Sequence, residues 1–420
     1  MFKLAFRGVF RYKKRSFITM FAIAIAVIFT IFMQTIITGL QLDSNKNLVY
    51  NDTSSAKIYA KGYFSERDYL PIDKLITKEQ GTSLQKLLLD NNYTDVTKEF
   101  ISSAQIMFYE NPFPTSGSLT AVIKAIDSTN SQAYKYDDAN IKGNWLTKGV
   151  DGVVIGAKLA DDIKADVGYF LTIQTKGKGG FIQAFDIPII GIISTGDPVI
   201  DASTLFFDMD TIDYYLELDG SATSYAVSYT KNIAKLKKIT DQETINLKEI
   251  ANQVDLEAYS WKEIADELLK FQSADAGFGY VFLFFTFVIA IVGISNTMLM
   301  AISERKNEIA MLKTLGYSDS YIKKSFTIEG GIIGLIGILI GSIFGIIISI
   351  YYQFKGIDFS YYLKYTDSIG YRINSIVYTY VLPSQMIIIA VCGLLVSMLA
   401  AFFAVKKTAK GEINQLFKKL

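Results

Sequence analysis

Four stretches of this chain are apolar for long enough to cross a lipid bilayer, and they limit its fold more than any other feature of the 420 residues. Residues 17–40 carry no charge over 24 positions. As a helix rising about 1.5 Å per residue that is about 36 Å, against a hydrocarbon core about 30 Å thick. Three further runs follow far downstream, at 276–302, 326–352 and 385–405. The third of the four holds one charge, Glu329, near its start, where a carboxylate can sit at the interface or against a neighbouring helix end. The first run exceeds the apolar core of a cleaved signal, and Thr38-Gly39-Leu40-Gln41 offers no small-residue cleavage site, so it is expected to remain as a span. A hydrophobic fraction of 50% and a mean hydropathy of +0.26 agree with a membrane chain.

Charge sets the expected orientation, because short loops rich in Lys and Arg stay in the cytoplasm. Residues 1–16 carry Lys3, Arg7, Arg11, Lys13, Lys14 and Arg15 and no acid. Residues 303–325 carry Arg305, Lys306, Lys313, Lys323 and Lys324, and 406–420 carry Lys406, Lys407, Lys410, Lys418 and Lys419. The interval 43–276 instead holds 34 acids against 23 bases, a net −11. The expected layout is therefore a basic cytoplasmic segment (1–16), a first span (17–40), a large extracytoplasmic domain with stalks (41–275) and a second span (276–302). A cytoplasmic loop (303–325), a third span (326–352), an outer loop (353–384), a fourth span (385–405) and a basic cytoplasmic tail (406–420) complete it. Both termini are expected inside, in the inner (cytoplasmic) membrane.

The polar interval alternates regularly enough, with frequent aromatics, to predict a folded α+β domain. Strands are predicted at 55–59, 118–126, 152–155, 169–175, 185–193, 204–207 and 224–229, and helices at 73–91, 157–164, 210–217 and 240–253. Residues 261–273 are amphipathic and run into the second span, either as a continuous stalk or as a surface helix ending at the membrane.

Histidine is absent, which excludes Ser-His-Asp and Cys-His catalysis and HExxH zinc sites. The single Cys392 allows no intramolecular disulfide and no cysteine-rich metal site, so the large domain depends on its own core. Within the spans Glu329 alone makes no acid-base pair, which leaves no intramembrane catalytic constellation. Lys176-Gly177-Lys178-Gly179-Gly180 has neither the spacing nor the terminal Ser/Thr of a phosphate-binding loop. No catalytic, metal or nucleic-acid site is predicted.

Two patterns are more specific. In the basic loop Ile309, Leu312 and Leu315 recur at helical spacing and Gly316 is placed to end the helix. The apolar face of such a helix lies on lipid headgroups or docks a partner. In the third span Gly330, Gly334, Gly337, Gly341 and Gly345 make Gly-x-x-x-Gly steps, echoed by Gly393, Ser397 and Ala401 in the fourth, so close helix packing is expected. Gln34 and Thr38 of the first span either line a cleft or hydrogen-bond a neighbouring helix.

The run Arg305-Lys306-Asn307-Glu308-Ile309-Ala310-Met311-Leu312-Lys313-Thr314-Leu315-Gly316, followed by Glu329-Gly330, resembles the signature region of the FtsX-like permease family. That family has the type VII ABC fold and includes MacB exporters and Lol-type lipoprotein-releasing permeases. Residues 154–160, 167–173 and 187–192 are similar to the MacB-type periplasmic core, and 381–385 resemble the Lol-type approach to the fourth span. The resemblance implies an α-helical membrane protein with four transmembrane helices and a large α+β extracytoplasmic domain between helices 1 and 2. It further implies a non-catalytic permease subunit working by mechanotransmission, paired with an identical or homologous permease and with ABC ATPase subunits that hold Mg-ATP. Arg305, Glu308, Ile309, Met311, Leu312, Lys313, Leu315 and Gly316 would form the ATPase-coupling segment. Lipoprotein release is the favoured cargo reading, with MacB-like export of an antibiotic, peptide or other small molecule, or FtsX-like signalling to a cell-wall hydrolase, as alternatives. Lol-type subunits that recruit a periplasmic chaperone carry a long Pro-containing hook; residues 174–183 are short and Pro-free, so a chaperone or adaptor would more naturally meet a second permease subunit. Membrane lipids are the remaining expected partner.

Overall fold

The computed structural model describes residues 13–136, 139–360, 372 and 375–416. Most of the expected N-terminal basic segment, part of the outer loop and the end of the tail lie outside the described residues. In chain order the elements are α1 (Lys13–Leu48), β1 (Ala56–Ala60), α2 (Lys78–Asp90), β2 (Val96–Phe108), β3 (Gly117–Ile126), β4 (Asn140–Gly143), β5 (Val153–Gly156) and α3 (Ala157–Ile163). Then come β6 (Phe170–Lys176), β7 (Ile182–Ser194), α4 (Pro198–Ser203), β8 (Thr204–Asp208), α5 (Met209–Leu216), β9 (Ser224–Val227), α6 (Ile233–Asn252) and β10 (Leu256–Ser260). The last group is α7 (Trp261–Ile264), α8 (Asp266–Glu304), α9 (Lys306–Thr314), α10 (Asp319–Lys355), β11 (Ile357–Asp358), β12 (Ile376–Val377) and α11 (Pro383–Leu416). They fall into two compact units.

Among the described residues four helices are long and apolar enough to span a membrane, and the first unit holds parts of them, α1, α8, α10 and α11. Each apolar run lies inside a longer helix; the third continues to Lys355, where Gly356 at φ +72° ends it, and the fourth opens on Pro383, where a missing N–H costs no helical bond. Large aliphatics make the common core: Ile23, Val27 and Ile31 of α1, Ile294 and Met298 of α8, Ile332, Ile333 and Ile338 of α10. Hydrogen bonds then tie α1 to each neighbour. Thr19 meets Thr297 at 2.6 Å and Thr30 meets Thr286, both on α8; Thr35 meets Ser349 of α10 at 2.9 Å; Thr38 donates to Gln385 of α11 at 3.1 Å. In an apolar solvent such pairs keep buried hydroxyls satisfied and fix register between helices. Thr38 thus serves a neighbouring helix rather than a cleft, and Gln34 is the side chain nearest to Gly279 of α8. At one end β11 pairs antiparallel with β12, and Gly39 passes so close to the Tyr378 carbonyl that any side chain there would collide with backbone.

The second unit, residues 42–270 with 362–375, is built on one ten-stranded sheet that partly closes on itself. The pairings β2–β3, β3–β8, β8–β5, β5–β7, β7–β6 and β6–β2 complete a ring of six strands. Alternate residues on one face, among them Phe100, Ile106, Ile123, Ile155, Ile173, Ile187 and Phe207, pack into one core with Leu159 of α3 and Ile212 of α5. The first half of β2 continues out of the ring, where β9, β1 and β10 add to it in order and α2 and α6 cover them through Leu84, Leu88, Leu247 and Ile250. Thr77 opens α2 with a reciprocal capping box to Gln80.

Three local expectations are corrected. The helix predicted over 73–91 begins only at Lys78, and the one predicted from 240 begins at Ile233, where Asn232 caps it. The amphipathic stretch from Trp261 is two elements, because Ser260 caps a single turn with Glu263 and the long helix starts at Asp266. The sequence reading also missed β2, the longest strand together with β7. Its polar residues Thr97 and Glu99 are as buried as its apolar ones, so the period-two alternation disappears over the first half of the strand.

Candidate functional site

The segment joining the second and third spans is fixed at both ends. At its start the α8 ladder gives way at Arg305, whose N–H is shared between the carbonyls of Ala301 and Ile302, and α9 begins one residue later. At its end Gly316 adopts φ +88°, and the N–H of Tyr317 reaches back to the Leu312 carbonyl at 3.1 Å. This is the glycine-terminated C-cap that lets a chain reverse without strain. Ser318 then caps α10 by accepting from the Tyr321 N–H.

Side chains hold the helix against the span bundle. Ile309 is buried with Ile302, Ile322 and Phe326. Arg305 forms an ion pair with Glu329 at 3.0 Å, the two side chains only 13% and 5% exposed, and its guanidinium lies 5.8 Å from the centre of the Phe326 ring. On the outer side Met311 and Leu315 are 59% and 70% exposed. Glu308 and Leu312 are half-buried; the side chain of Lys313 lies outside the described residues. Among the described residues the segment thus presents apolar atoms outward from a helix anchored inward by Ile309 and by the Arg305–Glu329 ion pair, a geometry suited to seating a partner.

The third-span glycines divide between two neighbours. A Cβ at Gly330 or Gly334 would fall 2.3 Å or less from the side chains of Ala401 and Ser397 on α11. A Cβ at Gly337 or Gly341 would fall 2.9 Å and 2.7 Å from the Met20 and Ala24 carbonyls of α1, and Gly345 lies over Ile31. α10 is thus the close-packed partner of both helices along one glycine stripe, its first half against α11 and its second half against α1.

Sequence reading missed a third feature, a buried charge network in the second unit. Lys57 of β1 meets Glu99 of β2 at 2.6 Å, and Lys124 of β3 lies 4.0 Å from the same carboxylate. Tyr134 and Ser224 also donate to Glu99, and the Lys124 ammonium sits 3.9 Å over the Tyr134 ring. Burial pushes the Lys124 ammonium down to about 8 although Glu99 opposes the shift. Asp52, between Lys57 at 3.9 Å and Arg372 at 2.6 Å, is held well below the usual carboxylate range: burial works against its ionisation, and the charges of Arg372, Lys57 and Lys124 overcome it. Arg372 also reaches Asp197 at 2.9 Å, whose carboxyl burial pushes up. The one sequence signal was a lysine inside each of two apolar strands, Ala-Lys-Ile-Tyr-Ala and Val-Ile-Lys-Ala-Ile. Among the described residues no group of His, Cys, Asp or Glu is placed to hold a metal ion.

Comparison with known proteins gives two family matches, a MacB-like periplasmic core domain over residues 16–246 and an FtsX-like permease C-terminal region over 280–413. The lipoprotein-releasing system transmembrane protein LolC of Neisseria meningitidis is 24% identical over 363 residues, 80% of this chain and 79% of that protein. The macrolide export ATP-binding/permease protein MacB of Pasteurella multocida is 22% identical over 252 residues, 59% of this chain and 36% of that protein. Among solved structures, the periplasmic region of MacB from Actinobacillus actinomycetemcomitans aligns with 53% of this chain and 95% of its own length, at 17% identity and a TM-score of 0.34.

Proposed function

The chain belongs to the family of ABC transporter permeases that join a MacB-like periplasmic core domain to an FtsX-like C-terminal region, and on that premise we propose that it works by mechanotransmission. In this reading two permease subunits, identical or homologous, each seat an ATPase subunit carrying Mg-ATP on the α9 segment. Closure of the ATPases moves α8 and α1, and the extracytoplasmic domain carries the work to cargo. The basic loop and both termini then face the cytoplasm, as their lysines and arginines favour.

The observation that carries the reading is the anchored α9 with Met311 and Leu315 turned outward. Lipoproteins are the cargo class we infer, supported by the LolC relative, whose similarity spans about four fifths of each chain. The MacB relative favours a second reading, small-molecule export, over a smaller share of that protein.

The test is purification of the intact protein from its native membrane in mild detergent, with mass spectrometry of co-purifying chains. An ABC ATPase together with lipidated proteins is the expected result. An ATPase with a small-molecule adaptor or outer channel would move the cargo reading to export. No ATPase, or only a wall hydrolase, would overturn the docking role.

A further inference from the structure

The chain enters the first strand of the extracytoplasmic domain through one short joint after α1, and several independent features meet there. The helix ends in a π-turn, Val49–Thr53, rather than in ordinary α geometry. Ser54 follows with φ +54° and ψ −155°, a backbone region that residues with a Cβ rarely occupy, and its hydroxyl lies 2.8 Å and 3.0 Å from the carbonyls of Ala133 and Val227. The Asn51 carbonyl accepts from the Lys124 ammonium at 2.8 Å and from the Tyr136 hydroxyl at 2.7 Å. The neighbouring Asp52 carries the ion pairs to Lys57 and Arg372.

Among the described residues whose charges meet at this joint, Arg372 comes from the chain between α10 and α11, whereas Asp52, Lys57, Glu99, Lys124 and Asp197 come from residues 52–197. Its guanidinium bridges Asp52, just past α1, and Asp197, the residue that caps α4. Its backbone is gripped as well: its N–H donates to the Ser44 hydroxyl at 3.1 Å, and its carbonyl accepts from the Asn47 side chain at 2.8 Å. The side chain is 11% exposed and that of Asp197 fully buried, whereas Asp52 keeps 35% of its side-chain surface in solvent.

We propose that Arg372 is the pin of this joint, a positioning residue that holds the π-turn at the end of α1 rigidly to the loop before α4. While it is seated, the last turn of α1, the π-turn and the loop before α4 are held as one piece. When it is withdrawn, Asp52 turns to solvent, Asp197 loses its cation, and the joint becomes a hinge. The partly open Asp52 is the side from which the pin can leave, and the closed Asp197 is the side that draws it back.

Hydrogen exchange of the full-length chain in lipid nanodiscs, read by mass spectrometry, tests this without reference to ATP or cargo, so it stands or falls apart from the permease reading. Arg372→Met should speed exchange over 44–55 at least tenfold while 117–126 and 182–194 in the ring of strands exchange as in the wild type. Arg372→Lys, which reaches one carboxylate where the arginine reaches two, should recover part of the protection. If Arg372→Met does not accumulate as folded protein, Asp197→Asn removes the buried anchor at nearly constant volume and should give the same local signature. Unchanged exchange over 44–55 in whichever variant folds would overturn the proposal. So would a rise spread equally through the strand ring, which would make Arg372 an ordinary core residue.

Discussion

Arg305 and Glu329, on opposite sides of α9 in the sequence, close an ion pair at 3.0 Å against the ring of Phe326. The pair ties the end of the second span to the start of the third, so the short helix between them cannot swing as a free loop.

Removing one partner of a pair this closed takes the nearest opposite charge from a buried group, at a cost of up to about 3–5 kcal/mol. Glu329→Ala should therefore lower the thermal unfolding midpoint in detergent sharply, and Arg305→Met should do the same. The double variant should lose less than the sum of the two, and a double-mutant cycle with no coupling would show that the contact contributes nothing.

Met311 and Leu315 are 59% and 70% exposed, so Met311→Ser with Leu315→Ser should leave unfolding unchanged to within about 0.5 kcal/mol. The same variant should abolish co-purification of an ATPase and its stimulation. Leu312→Glu, at a half-buried position, should also lose association but with some loss of stability; retained association in both would refute the docking surface.

The third-span glycines should differ from one another. Gly341→Ala places a methyl 2.7 Å from the Ala24 carbonyl, backbone that cannot turn aside, and should cost about 1–3 kcal/mol. Gly345→Ala meets nothing closer than 3.2 Å and should cost less. Gly334→Ala collides with the Ser397 side chain, so Ser397→Gly should rescue it and should not rescue Gly341→Ala. Thermal unfolding of the purified variants decides each comparison.

Asp52 predicts a pH dependence of definite sign. Its folded-state affinity for a proton is depressed, so the stability it contributes is fully present above the ordinary aspartate value of about 3.9 and is lost as pH falls through the folded value. The gap in unfolding midpoint between wild type and Asp52→Asn should be constant from pH 7 to 5 and shrink from pH 4 downward. Asp197 and Asp201 titrate in both proteins, and a gap that held constant to pH 3 would contradict the assignment.

The four spans and the α+β domain between the first two are legible in the sequence, because bilayer thickness and the absence of water inside it leave a chain few solutions. The family resemblance could be read from a dozen contiguous residues around Glu308, which include the helix and its glycine cap, whereas the ion pair that anchors them, Arg305 to Glu329, spans 24 positions. The Gly-x-x-x-Gly row announced close packing but not the partner of each glycine, since that depends on how α10 is rotated against α1 and α11. β2 stayed hidden because both faces of its first half are covered, and the buried charges stayed hidden because lone lysines in strands do not name their counter-ions. The sequence by itself determined which segments lie in lipid and which in water, since that depends on composition summed over a window. Only the tertiary structure decided that Glu99 is shared by two lysines and that Arg372 meets Asp52 across 320 positions, since a buried charge is stabilised by whatever the fold brings within about 4 Å of it.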